Sequence, residues 1–308
     1  MTHNHHHHHH HIPQPPTGGQ GDFRQVAIIS FSILLNLLFV GVEAVVGLVE
    51  NSLSLLSDAG HNLSDVFSLV LVLVAFKLSK VHANGRFTYG YRKSTVLISL
   101  LNAIILLVAV GAIVIESIHK FYAPAVVNGE AVTWTAAVGI LINGLTALLL
   151  MRGQKTDINV RGAFLHMAAD TLVSVGVVVS GIIITLTGWN TIDPIVSLLI
   201  AAIILFSTWG LLSASLRLSM DGMPEGIDIE DIGERMRKHA GVVDVHHIHV
   251  WAISTTENAL TAHIVVDDLT KMEQTKQLLK KELNSLGIGH STLEFETTEC
   301  RCVCEECQ

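Results

Sequence analysis

The 308-residue chain is half hydrophobic, only 15% of its residues are charged, and its mean hydropathy is +0.50. This composition excludes an ordinary soluble globular protein and indicates a polytopic membrane protein in a lipid bilayer. The net charge of −8 gives no indication of a nucleic-acid partner.

The chain begins with a polar segment, residues 1–25, in which THNHHHHHHH leads straight into IPQPP. It has no basic stretch followed by a short apolar run and a cleavage site, so we expect no cleaved signal peptide. The histidines are either a purification tag or a native, disordered arm that collects zinc weakly. A tag is usually followed by a linker or protease site, so we favour the native arm.

A bilayer core about 30 Å thick is crossed by roughly 20 mostly apolar helical residues, and six segments meet this requirement. They lie near residues 26–49, 55–78, 94–118, 131–151, 163–187 and 192–216. After Pro224, charged residues and short alternating runs replace the apolar segments. We therefore predict a membrane domain over 26–217, a cytosolic domain over 222–298 and a cysteine-rich tail over 299–308.

The basic residues of the short loops gather on one side of the membrane. On that side are Lys77, Lys80, Arg86, Arg92, Lys93, Arg152, Lys155 and Arg161. The three loops on the other side contain only Lys120. Because cytoplasmic loops carry the excess of Lys and Arg, both termini are predicted to be cytoplasmic.

Two of the spans carry the same polar pair. In span two, SDAGHNLSD places His61 and Asp65 four residues apart, on one stripe of a helix. In span five, HMAAD repeats this spacing with His166 and Asp170. Ionisable groups at membrane depth are costly and normally face a bundle interior or a water-filled cavity. Hydrogen bonding between helices can also account for polar residues, but packing alone does not require both residue types twice at one spacing.

Two imidazoles and two carboxylates are a suitable ligand set for a tetrahedral Zn²⁺ ion. Histidine nitrogen favours Zn²⁺, Cd²⁺ or Co²⁺ over cations that prefer oxygen. We therefore predict a divalent metal site between spans two and five. Its empty form takes up protons near neutral pH, whereas a metal-bound histidine nitrogen does not, and this competition predicts metal/proton exchange.

Other polar residues in the spans have less specific interpretations. Asp58 shares the helical stripe of the span-two pair but not the repeat, and we interpret it as a gate residue or a helix cap. Glu43 and Asn36, seven residues apart on span one, share a face and can line the same cavity. Asn102 and Asn143 more often serve helix packing.

The pattern after Pro224 predicts a small αββαβ domain of ferredoxin-like type, with helices on one face of the sheet. Its predicted elements are helix 228–239, strand 242–253, strand 258–267, helix 271–286 and strand 291–297. Gly287 is suited to end the second helix. The predicted fold class is thus a polytopic α-helical membrane protein with six spans and a small C-terminal α+β domain.

The soluble domain is rich in histidine. Strand alternation places His247 and His249 on one face of its first strand and His246 on the other. These residues, together with His263 on the next strand and His290 before the last one, are candidate metal ligands. Clustered surface histidines on a strand are otherwise often only solvated.

All four cysteines lie in the tail, in CRCVCEECQ. They are Cys300, Cys302, Cys304 and Cys307. In a reducing cytoplasm this cluster is a metal or thiol site more readily than a disulfide framework. Four thiolates can satisfy one Zn²⁺ and also capture soft ions such as Cd²⁺ or Cu⁺; the alternative is an unstructured thiol tail.

Two functions of other classes fit the sequence less well. A membrane-embedded zinc enzyme keeps an open coordination position and usually a nearby general base, as in H-E-x-x-H, and the sequence has no such motif. A metal sensor whose spans serve only as an anchor does not explain ligands at membrane depth. We therefore predict a transporter and not an enzyme.

Four motifs carry a family resemblance: SDAGHNLSD in span two, FTYGYRK after it, HMAAD in span five and HHIHVW in the C-terminal domain. Through these motifs the chain resembles the cation diffusion facilitator family, particularly its zinc-exporting branch. The resemblance covers residues 24–298. It implies a homodimeric metal/proton antiporter of alternating access, in which the two H-x-x-x-D pairs hold the transported ion. It also implies a cytosolic domain that dimerises and binds a regulatory Zn²⁺ through His246, His263 and Glu296.

The chain departs from the family pattern in two regions. Phe87 and Tyr91 stand where some members have histidines of a second metal site between spans two and three, so we do not expect that site despite His82. Lys276 and Glu294 stand where some members have cytosolic histidine ligands, which argues against a binuclear site.

Two further expectations follow from the resemblance. Lys93 matches a family lysine that pairs, near the dimer contact, with an aspartate after span six, here Asp221. Histidine at the first position of each pair is the zinc-preferring form. We therefore predict a Zn²⁺ exporter in the plasma (inner) membrane of a bacterium, with export of Cd²⁺, Co²⁺ or Fe²⁺ by the same mechanism as the alternative.

Overall fold

A computed structural model describes residues 20–49, 53–122, 130–187 and 192–298, and for part of the helical residues it describes the backbone only. The chain divides into two compact units that meet in sequence at Met220 and Asp221. The first unit is helical and the second contains a β-sheet.

The helical unit contains one long helix for each predicted span. The helices are α1 (Gln20–Val49), α2 (Leu53–Ser79), α3 (Ser94–Tyr122), α4 (Glu130–Leu150), α5 (Ile158–Thr187) and α6 (Ile192–Ser219). By length and composition, three stretches of the described residues are apolar enough to cross a bilayer: Arg24–Val46, Ser94–His119 and Leu198–Ser219. Large apolar side chains such as Val108 and Phe206 point outward, 69% and 86% exposed, which suits lipid and not water.

Helix α5 lies between two hydrophobic clusters of the helical unit. On one side its Ala163 and Met167 pack with Leu69 of α2 and with residues of α1 and α4. On the other side its Ala169 packs with Val110 of α3 and with residues of α6. The helix that carries the second H-x-x-x-D pair is therefore fixed from both sides by close packing.

The second unit has the predicted αββαβ order. Its elements are α7 (Ile229–Arg237), β1 (Val242–Ala252), β2 (Asn258–Val266), α8 (Met272–Ser285) and β3 (Ile288–Thr297). The sheet order is β1-β2-β3, with β1 antiparallel and β3 parallel to β2. The predicted fold class, a helical membrane protein with a small C-terminal α+β domain, is confirmed.

One face of the sheet is covered by the two helices. Leu260, Ala262 and Ile264 of β2 are fully buried there with Met236 of α7 and Leu279 of α8. The alternate residues of β2, including Thr261 and His263, therefore lie on the opposite, open face.

Strand β3 begins three residues before its predicted start. Gly287, with a φ of +83°, ends the α8 turn in a conformation that glycine adopts without strain. Pairing with β2 then begins at once, at Ile288. The sequence pattern alone does not show this, because the glycine and histidine that follow interrupt the apolar alternation.

Candidate metal centres

Three of the four predicted transport ligands converge between α2 and α5. His166 Nε2 lies 2.6 Å from Asp65 Oδ1 and 3.8 Å from Asp170 Oδ2. Asp65 is 1% exposed and His166 is 4% exposed, so this cluster is inside the helical unit. One turn of α5 separates His166 from Asp170, and the packing of α2 on α5 supplies Asp65.

The fourth predicted ligand is only partly located by the structure. His61 lies on α2 one turn before Asp65, and Asp58 lies a further turn earlier. The side chains of both residues are outside the described part of the structure. Whether His61 closes the site, and whether Asp58 is a gate or a cap, therefore stay predictions.

The converging groups have the chemistry of a divalent metal site. One oxygen each from Asp65 and Asp170 and one nitrogen of His166 lie within 4.8 Å of one another. Buried carboxylates need a compensating positive charge, because their desolvation is otherwise costly. A divalent cation bound between them supplies that charge and uses both oxygen and nitrogen donors.

The predicted cavity residues of α1 are both buried and hydrogen-bonded. Glu43 is fully buried, and its Oε2 accepts a hydrogen bond of 2.7 Å from Asn62 Nδ2. Asn36 Nδ2 donates to the Ser32 carbonyl oxygen and to Thr146 Oγ1 of α4. Glu43 is therefore held against α2 at the residue next to His61, a contact that we did not predict although Asn62 is visible as a polar residue in the same motif.

A second cluster lies on the open face of the sheet. His263 Nδ1 is 2.5 Å from Glu296 Oε1, and His246 Nε2 is 3.6 Å from Glu296 Oε2. One ligand atom from each of these three residues lies within 4.8 Å of the others. His246 and His263 are directly paired across β1 and β2, and Glu296 reaches them from β3. Three strands thus supply one ligand each.

The predicted alternation of the histidines on β1 is wrong because the strand contains a bulge. His246 pairs with His263 and His249 pairs with Thr261, so His247 and Ile248 together oppose the single residue Ala262. His249 is therefore on the same face as His246, not on the opposite one. The ring of His247, whose φ is +50°, also lies beside His263, with ring centroids 5.1 Å apart.

The remaining cytosolic candidates occupy different places. His290 pairs with Ala259, four positions along the sheet from the His263–Glu294 pair, which is about 13 Å at the usual rise of a strand. The structure therefore does not bring His290 into the cluster. Glu294 Oε2 lies 3.5 Å from His263 Nε2, and Lys276 forms an ion pair with Glu273 of its own helix.

The loop between α2 and α3 is an ordered turn. The rings of Phe87 and Tyr91 are 4.7 Å apart, and Asn84 Oδ1 accepts hydrogen bonds from the backbone amides of Arg86 and Phe87. Among the described residues, the two clusters above are those that bring three potential ligands together, and neither includes His82.

The predicted partners at the end of α6 are not tested directly. Lys93 Nζ donates a hydrogen bond of 2.8 Å to the carbonyl oxygen of Leu218, close to the end of that helix. Asp221 begins the second compact unit. Its ion pair with Lys93 stays a prediction. The His-rich arm and the cysteines of the tail lie outside the described residues.

Three groups on the surface of the soluble unit have shifted pKa values, those of Arg235, Asp268 and Glu273. A hydrogen bond to Asp231 raises the pKa of Arg235, and a hydrogen bond from the Thr270 hydroxyl lowers the pKa of Asp268. A hydrogen bond from Lys276 likewise lowers the pKa of Glu273.

The chain matches known proteins along nearly all of its length. Residues 29–218 match the cation efflux transmembrane domain, and residues 224–286 match the cytoplasmic domain of cation efflux proteins. The chain therefore belongs to the cation efflux family, as the resemblance to cation diffusion facilitators predicted. It is a membrane protein of cation transport and not an enzyme.

Individual relatives agree with this assignment. A cadmium, cobalt and zinc/H⁺-K⁺ antiporter of Bacillus subtilis is 35% identical over 302 residues, which cover 96% of this chain and 92% of the relative. The zinc transporter ZitB of Escherichia coli is 34% identical over 306 residues, covering 97% and 94%. The metal cation efflux system protein CzcD of Cupriavidus metallidurans is 32% identical over 264 residues, covering 85% and 84%.

Proposed function

We propose that this protein exports Zn²⁺ from the cytoplasm in exchange for protons, by alternating access of one site between α2 and α5. The observation that supports the proposal is the convergence of the buried Asp65 and His166 with the partly buried Asp170 inside the helical unit. His61 is the proposed fourth ligand, which completes a tetrahedral His₂Asp₂ set.

Proton coupling follows from the same groups. Imidazole and carboxylate bind either a proton or a metal ion, so release of metal on one side leaves sites that protons occupy. An inward proton gradient then drives outward movement of the metal. Two relatives, a zinc transporter and a cadmium, cobalt and zinc/H⁺-K⁺ antiporter, support zinc as substrate with Cd²⁺ and Co²⁺ as alternatives. Fe²⁺ stays a further alternative on ligand chemistry alone.

The proposal assigns a role to each part of the chain. The membrane domain (26–217) moves the ion, with both termini in the cytoplasm of a bacterial cell. The cytosolic domain (222–298) joins two copies into a homodimer and binds a regulatory Zn²⁺ at His246, His263 and Glu296. Near the dimer contact, Lys93 pairs with Asp221, and the tail cysteines take up metal from the cytoplasm.

Zinc flux into proteoliposomes tests the transport site. Purified protein is reconstituted with an imposed pH gradient, and a zinc-sensitive dye inside the vesicles reports uptake. We expect flux from the unaltered protein and a fall to background for Asp65→Ala and Asp170→Ala, because each change removes a metal ligand. Glu234→Gln, which alters an exposed acid of α7 (68% side-chain exposure), is the matched control and should transport normally.

Two outcomes contradict this assignment. Zinc flux that persists in both aspartate variants means that the transported ion does not use these carboxylates. Lack of flux in the unaltered protein, at a pH gradient of either direction, means that zinc is not the substrate.

A further inference from the structure

The bulge in β1 places a third imidazole beside the cytosolic cluster. We propose that His247 is a ligand of this site, which therefore holds a single Zn²⁺ ion in a closed set of three histidines and Glu296. The proposal rests on the proposed cytosolic site and names the ligand that completes it. Neither strand alternation nor the family resemblance assigns this role to His247.

The spacing of the three rings fits one tetrahedral ion. Ring centroids are 5.1 Å apart for His247 and His263, 5.3 Å for His246 and His263, and 5.9 Å for His246 and His247. Imidazoles that share an ion at the usual Zn–N distance and tetrahedral angle have centroids about 5 Å apart. Ligand atoms of His246, His263 and Glu296 already converge, and the ring of His247 lies next to two of these residues.

The backbone at His247 is strained in a way that serves this arrangement. Its φ of +50° lies in the left-handed region, which costs roughly 1–2 kcal/mol for a residue with a Cβ atom. Regular alternation would direct His247 toward the helix-covered face, where Ile248 packs instead. The bulge keeps Ile248 in the core and leaves the imidazole of His247 beside His263. Strain of this kind concentrates at ligand sites, where other interactions hold it in place.

The neighbouring groups have other roles. Glu294 is 69% exposed and faces His263 Nε2, the ring nitrogen that is turned away from Glu296. It therefore orients the His263 ring, as carboxylates commonly do for ligand histidines. His249 comes after the bulge in β1 and is exposed, and its ring centroid is 5.9 Å from that of His247. It therefore provides a matched control.

Residue-resolved histidine footprinting of the full-length protein tests the proposal. The protein in detergent is labelled with diethylpyrocarbonate over a zinc titration, and mass spectrometry measures the labelling rate at each histidine. We expect zinc to slow labelling of His246, His247 and His263 with one common midpoint. His249 and His290 should label at rates that do not depend on zinc.

Variants separate a ligand from a neighbour. His247→Asn removes the imidazole but keeps a residue that tolerates the left-handed conformation, so the bulge should remain. Removal even of residues that support a ligand lowers metal affinity about 10–100-fold, so we expect the protection midpoint of His246 and His263 to rise at least about tenfold. The control His249→Asn should leave the midpoint unchanged.

Different results test the role of His247 and the existence of the cytosolic site. If zinc protects His246 and His263 while His247 labels at its zinc-free rate, or if His247→Asn leaves the midpoint unchanged, His247 is not a ligand and a three-residue site remains. If none of the three is protected, the cytosolic site itself is wrong. Neither result decides the transport-site assignment, which the proteoliposome assay of the Asp65 and Asp170 variants tests separately.

Discussion

At the scale of the residue, the proposed transport site joins two aspartates to one imidazole. His166 Nε2 lies within 3.8 Å of both Asp65 and Asp170, although the two aspartates belong to different helices. The His166 ring therefore bridges Asp65 of α2 and Asp170 of its own helix α5. In the proposed site, a metal ion bound by Asp65 and His166 takes the place of the hydrogen bond between them.

The first prediction concerns His61 as the selector for zinc. His61→Asp replaces a single nitrogen donor by a carboxylate that binds with one or two oxygens and so tolerates larger ions. We expect Cd²⁺ uptake into proteoliposomes to increase relative to Zn²⁺ uptake. Ser64→Asp, a change on the same helix outside the repeat, is the control for added charge. Unchanged relative uptake of the two metals in His61→Asp would remove His61 from the selective site.

The second prediction compares two buried asparagines. Asn62 donates to the buried Glu43 carboxylate, whereas the amide of Asn102 has no hydrogen-bond partner among the described residues. Asn62→Leu should lower the free energy of unfolding by about 1–2 kcal/mol, because it removes a donor from a buried charge. Asn102→Leu should be neutral or stabilising, since no bond is lost. Reversible unfolding in mixed detergent measures the free energy of unfolding of both variants. Equal losses of stability in the two would contradict the contribution of the Asn62–Glu43 hydrogen bond.

At the scale of the element, the close approach of α5 and α6 depends on a glycine. A Cβ atom at Gly176 would overlap Ile200 Cδ1 and lie 3.1 Å from Val196 Cγ1, so Gly176→Val must displace these α6 side chains or the helix that carries them. We expect it to lower the free energy of unfolding by about 1–3 kcal/mol. Gly111→Val on α3, where nothing lies within 4 Å, is the control and should change stability much less. Similar losses of stability in the two valine variants would mean that α6 does not pack closely against α5 at Gly176.

The elements also show where sequence patterns are sufficient and where they fail. The spacing of His166 and Asp170 predicts one helical face, because the α-helix has a regular period and nothing interrupts it in α5. Pairing of Asp65 with His166 across helices depends on packing, which a single sequence suggests only through the repeat. On β1 the prediction failed at His247, because one extra residue shifts every later side chain to the other face. The sequence of β1 alone does not indicate such a bulge, because a bulge is defined by how the strand pairs with its neighbour.

At the scale of the whole molecule, the basic residues and the metal ligands define a direction. Lys77, Lys80, Arg86, Arg92 and Lys93 cluster at the ends of α2 and α3, and no acidic residue lies between Asp65 and Glu116. Basic loops of this kind are retained in the cytoplasm. The predicted orientation therefore gives the proposed site on α2 and α5 a cytoplasmic side, from which a metal ion would enter and to which a proton would be delivered.

The last prediction follows from exchange of metal for protons at that site. In proteoliposomes, molecules whose cytoplasmic side faces the bath should accumulate Zn²⁺ when the lumen is more acidic than the bath, because protons leave as zinc enters. Nigericin, which collapses the pH gradient through K⁺ exchange, should reduce accumulation to the level of passive equilibration. The control is a membrane potential of either sign at equal pH on both sides. If the protons that leave balance the charge of the Zn²⁺ that enters, this potential should not drive zinc accumulation. Zinc accumulation that is the same with and without the pH gradient would show that the aspartates and histidines release the metal without proton uptake, and the exporter would then be a uniporter built on the same ligands.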